Sequence, residues 1–226
     1  MTVLVKTGEN KRVKEEIVSV RGVRFLCLTL PRNGLLAPIA VRRAARRLKS
    51  KKGRYAVLEK DFCFTEIFEK YGIIPQPFRS LRLAAVRQIV CAALREQGLL
   101  PDAAFLAVRA DRVGEETENL LLSLAPCVRA LALDAPGEES AAARLMFRAG
   151  LALRKSTLGA DLTLSLAEGE VCHEGVLALF DKALRITYSA PQAEVFESEP
   201  FLAALYENGS IRGEEIAVLD FDARMS

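Results

Sequence analysis

Chemistry in this chain would rest on a few carboxylates and arginines, because it holds one histidine, His173, and five scattered cysteines with no CxxC pair. Two constellations stand out. The first is the turn Arg109-Ala-Asp-Arg-Val-Gly114, with Asp111, Arg112 and Gly114 between an apolar run and a helical pattern. Asp134 follows Gly114 by 20 residues and ends the next apolar run. A glycine turn feeding a helix N-terminus can hold phosphate. The second is a helical face with Arg42, Arg43, Arg46 and Arg47, which would suit a small anionic ligand or a nucleic-acid backbone. That face has no interleaved aromatics for base stacking. A solvated surface, or docking on acidic parts of the same chain, is the better explanation.

The other candidates read as structural. Asp220 and Asp222 share a face of a strand, as metal ligands or acid–base partners would, but they fit the wet end of a terminal strand. Glu59 with Asp61 invites the same interpretation. Cys63, between two phenylalanines, reads as a buried thiol. Cys172 and His173 are adjacent, so on a strand they point to opposite faces and do not share one metal. No metal site is expected.

These residues need elements to position them. Residues 105–108, 130–133 and 162–166 read as strands, and 115–124 and 138–153 as helices between them. Strands alternating with helices of that length imply βαβ units and a parallel sheet. Earlier, 2–6, 23–30 and 55–58 read as strands, while 11–20 is ambiguous between helix and edge strand. The helix over 36–51 places Ala37, Val41, Ala44, Ala45 and Leu48 on one side and the arginines on the other. Asn33-Gly34 would turn the chain into it and Gly53 would end it. A short helix over 65–70 precedes a long one over 78–96, apolar round much of its circumference and suited to the interior. Further strands are expected at 175–180 and 183–188, a short helix at 200–206, and a last strand at 215–222 able to join either sheet.

Charge divides the chain. Residues 1–100 hold 21 Lys and Arg against 8 Asp and Glu, and residues 101–226 hold 11 against 21, for a net charge of +3. The change of sign coincides with Leu99-Leu-Pro-Asp102 and with the onset of regular βαβ spacing. The expected domains are therefore 1–99, basic α/β, and 100–226, acidic α/β. No run reaches the apolar length of a membrane span, and the first residues lack a signal-peptide pattern, so a cytoplasmic protein without a membrane partner is expected.

Over 103–166 the layout resembles the dinucleotide-binding Rossmann fold. That resemblance implies a three-layer α/β/α C-terminal half beside a smaller N-terminal α/β half. It also implies a site for NAD or NADP built from Asp111, Arg112, Gly114 and Asp134. The sequence departs from the fingerprint in having one glycine where the family has three. It also puts Glu115, Glu116 and Glu118 in the first turn of the helix, where they cap the dipole and repel phosphate. A Rossmann-like fold without the cofactor is the better expectation. The leading functional expectation is a binding or interaction protein whose partner is another protein or a small anionic ligand. A nucleotide-dependent enzyme centred near Asp134, and nucleic-acid binding through the arginine helix, stand as the alternatives.

Overall fold

A computed structural model describes residues 2–9, 13–32, 37–51, 54–59, 62–189 and 198–222. The expected turn at Asn33-Gly34, the helix stop at Gly53, Asp61 and the side chain of Asp222 lie outside them. The described residues form a mixed α/β fold in which parallel strands interleave with helices. The chain divides into two compact units, one of Met1–Leu81 with Ala190–Glu215, the other of Arg82–Ser189 with Ile216–Ser226.

The first unit holds β1 (Val3–Gly8), β2 (Lys14–Val20), β3 (Val23–Pro31), α1 (Ala37–Ser50), β4 (Tyr55–Leu58), α2 (Thr65–Lys70) and β5 (Ile74–Pro75). Its sheet runs β2-β3-β1-β4-β5, with β2 antiparallel to β3 and the other pairs parallel. Of the ambiguous stretch 11–20, residues 11–12 lie outside the described residues, and Lys14–Val20 is thus an edge strand. Arg21 and Gly22, both at positive φ (49° and 82°), close its hairpin to β3, the twist a two-residue loop needs. The apolar stripe of α1 is buried at Ala37, Val41, Ala44, Ala45 and Leu48, as its spacing implies. It packs on Val3, Val5, Leu26, Leu28 and Leu30. After the second unit the chain returns in α6 (Glu199–Glu207). There the Phe201 ring meets Phe25 at 5.4 Å, and Glu207 accepts hydrogen bonds from Gln76 and Ser80, each at 2.8 Å.

Within the second unit lie most of α3 (Arg79–Glu96), β6 (Phe105–Arg109), α4 (Glu115–Leu124), β7 (Ala130–Asp134), α5 (Glu138–Ala149), β8 (Leu162–Ser165), β9 (Val176–Ala178), β10 (Arg185–Ser189) and β11 (Ala217–Asp222). Its parallel sheet runs β7-β6-β8-β9. From Arg82 onward α3 belongs to this unit and spends side chains on it. Arg82 donates to the carbonyls of Leu179, Asp181 and Leu184, and Gln88 bonds the backbone of Ile216 and Val218. The last strand joins neither parallel sheet but pairs antiparallel with β10.

α5 stops four residues short of expectation, where Gly150 takes φ 66° and caps it. The chain then returns beside the outer edge of β7 for a single parallel bridge, Ala132↔Arg154, with the Arg154 N–H 2.8 Å from the Leu131 carbonyl. α4 and α5 are joined by Glu118, which is buried and takes Arg144 at 2.7 Å and Arg148 at 3.5 Å. From Arg154 the chain crosses to the far side of β6. Asp161 pins the crossing, its Oδ2 accepting the Phe105 N–H at 2.7 Å and its own N–H donating to the Phe105 carbonyl at 2.8 Å. Counting parallel strands alone, both units share one order, second-first-third-fourth: β3-β1-β4-β5 and β7-β6-β8-β9.

Candidate ligand site at the carboxyl edge of the second unit

In open parallel sheets a crevice forms outside the carboxyl ends of two neighbouring strands whose connections leave in opposite directions. In the second unit those strands are β6 and β8. β6 ends at Arg109, in register with Asp134 on β7 and with Ser165 on β8. Arg109 Nε donates to Asp134 Oδ2 at 3.1 Å, and Nη1 to Glu170 Oε1 at 3.2 Å. Ser165 is fully buried; its hydroxyl donates to Glu170 and accepts the Ala167 N–H. The guanidinium therefore bolts the end of β7 to the loop after β8. The side chains of Arg109 and Asp134 stay about half exposed, at 45% and 51%, so the pair is open to exchange with a ligand and contributes little to stability on its own.

Of the expected site residues, Asp134 stands at the end of β7 and Asp111, Arg112 and Gly114 follow β6, all at this one edge and all exposed. Gly114 has extended backbone (φ −147°, ψ −178°), and a Cβ there would meet nothing within 4 Å. Neither the turn nor its surroundings require glycine at that position. Glu115 and Glu116 remain exposed in the first turn of α4, so the edge is rich in carboxylate. Ser165 and Glu170 escaped the sequence, since neither has a spacing that links it to Arg109. The Arg109–Asp134 pair had a signal in two five-residue apolar runs with charged ends, which meet when the strands align end to end.

The arginines of α1 lie elsewhere, on the first unit, and all four are exposed. Two have partners there: Arg47 pairs with Glu15 at 3.2 Å, and Arg46 bonds the Tyr71 hydroxyl at 3.2 Å while lying over its ring. Arg42 and Arg43 each sit one helical turn before another arginine. Replacing both by Gln is expected to leave stability level or raise it by a few tenths of a kcal/mol, because like charges four apart repel. Urea titration checks this, and a loss above about 1 kcal/mol would mean these side chains make contacts beyond solvent.

At the carboxyl end of β4, Glu59 accepts the N–H and the hydroxyl of Thr7, each at 2.7 Å. The Thr7 hydroxyl, then its N–H, hold the Glu59 carboxyl below its ordinary range. Cys63 is exposed rather than buried, because it sits in the turn before α2. Cys172 is buried, and burial pushes its thiol up, away from thiolate. Among the described residues no group of three His, Cys, Asp or Glu could hold a metal, and no helix is long and apolar enough to cross a membrane.

These elements define the class: a mixed α/β protein of two parallel-sheet units. No family model matches the chain, and no curated protein matches it. Among solved structures it has a slight likeness to unliganded arylmalonate decarboxylase, at 14% identity over 73% of this chain and 76% of that one, with a TM-score of 0.22. A likeness of that size carries nothing about activity.

Proposed function

We propose that the chain is a ligand-binding protein whose second unit takes a ribonucleoside at the carboxyl edge of its sheet. Asp134 carries this proposal. Its carboxylate ends the second strand of a βαβ unit, is half exposed, and is oriented by Arg109 through one oxygen. A carboxylate at that point of a dinucleotide-type fold accepts the two vicinal ribose hydroxyls. The strand succession supports a Rossmann-type arrangement: β7 and then the Arg154 bridge lie on one side of β6, with β8 and β9 on the other. The bridge stands where a third strand would run. Glu115 and Glu116 argue against a pyrophosphate, since their charge cancels the attraction of the α4 N-terminus. NAD and NADP are therefore expected to bind more weakly than adenosine.

Calorimetric titration with adenosine, 2′-deoxyadenosine and NAD tests this. Adenosine should bind, and removal of either the 2′-hydroxyl or the carboxylate (Asp134→Ala) should weaken it about tenfold or more. Equal affinity for the ribo and deoxy forms, or an Asp134→Ala variant that binds like the parent, would sink the proposal.

A further inference from the structure

The returning segment meets the outer edge of β7 through the isolated bridge Ala132↔Arg154. α5 ends at Ala149, the chain bridges β7 at Arg154, and a pocket of about 390 Å³ is lined by residues of α5, β7 and the returning segment. That volume lies in the range of small-molecule sites. Its apolar part comes from Leu133, which is buried, and from the half-buried Ala142 and Leu153. Its charged part has two signs. Glu138 and Glu139 come from the first turn of α5, and Arg154 and Lys155 from the returning segment. The Arg154 guanidinium lies 4.5 Å over the Phe105 ring, which restricts its orientation.

We infer that this pocket binds a zwitterion of the amino-acid or dipeptide class with an apolar side chain. Its ammonium meets Glu138 and Glu139, its carboxylate meets Arg154 and Lys155, and its hydrocarbon covers Leu133, Ala142 and Leu153. A simple anion is disfavoured by the two carboxylates and a simple cation by the two basic side chains, whereas a molecule carrying both charges satisfies all four. The site does not use Asp134, so it stands apart from the nucleoside proposal.

The probes are leucine and leucyl-leucine, each compared with its N-acetyl and its C-terminal amide form, titrated calorimetrically into the full chain. One zwitterion should bind saturably, with affinity falling about tenfold or more when either charge is capped. Glu138→Gln with Glu139→Gln, and Lys155→Gln alone, should each reproduce the loss belonging to one end. These side chains are at the surface, so melting curves should match the parent, and the Lys155 variant leaves the Arg154–Phe105 contact in place. Asp134→Ala should leave zwitterion affinity unchanged while weakening adenosine. Absence of saturable binding by either zwitterion up to roughly 10 mM, where a functional small-molecule site would show itself, overturns the inference. So does equal binding of the capped forms, or an affinity indifferent to the pocket variants.

Discussion

Replacing Arg82 by Ala is expected to lower the unfolding free energy by about 3–5 kcal/mol, the largest loss expected from a single polar side chain in this protein. Arg82 is 1% exposed, on a helix that otherwise looks like ordinary apolar filling. Its Nη1 donates to the carbonyls of Leu179 and Asp181, each at 2.8 Å, and its Nη2 to that of Leu184 at 2.9 Å. These carbonyls belong to the segment between β9 and β10, which has no sheet of its own to satisfy them. Truncation leaves them without their donors and opens a void the size of the side chain. Lysine should rescue little, since one ammonium cannot reproduce a planar fork reaching three acceptors. For a chain of this length the melting temperature should fall by roughly 10 °C. A urea midpoint close to that of the parent would show that the segment finds other donors and that the fork is dispensable.

Asp181→Ala should cost about 2–4 kcal/mol for a related reason. The carboxylate is 8% exposed and accepts the N–H groups of Cys172 and Ala183, each at 2.8 Å. Burial pushes this carboxyl up, but the two N–H donors, with the nearby Arg82, outweigh it and hold the group below its ordinary 3.8. A carboxyl whose pKa is lower folded than unfolded stabilises the fold fully above the unfolded value, and that contribution is lost as pH falls through the folded one. The stability gap between parent and Asp181→Asn should therefore be widest near neutrality and narrow below about pH 4. Urea titrations at neutral and acid pH measure it; a gap that stays constant would mean the charge itself contributes nothing. The double variant with Arg82→Ala should lose less than the two single losses together, since both side chains hold the same stretch of backbone.

The residues that escaped the sequence share one property with these two. Arg82, Glu170 and Ser165 act on backbone or side chains that meet them only after the strands have been ordered. Arg82 reaches carbonyls 97 to 102 positions away, and no local period reports such a contact. Asp134 and Arg109 were visible separately, as charged ends of apolar runs, but their pairing needs the end-to-end register of β6 and β7. The arginines of α1 were legible as a face because a helix repeats every 3.6 residues. Their partners Glu15 and Tyr71 were not, since one comes from an edge strand and the other from the end of α2.

By itself, the sequence determined what short-range periodicity can encode. It specified the α/β class, the buried stripe of α1, the βαβ spacing from Phe105 to Leu166 and the position of Asp134 at a strand end. Tertiary structure alone decided the order of the strands, the return of α6 to the first unit, the pairing of β11 with β10 and the single bridge that Arg154 makes to β7. Those outcomes depend on which distant surfaces bury one another and which backbone groups are left to be satisfied. A pattern of neighbours along the chain holds no record of either.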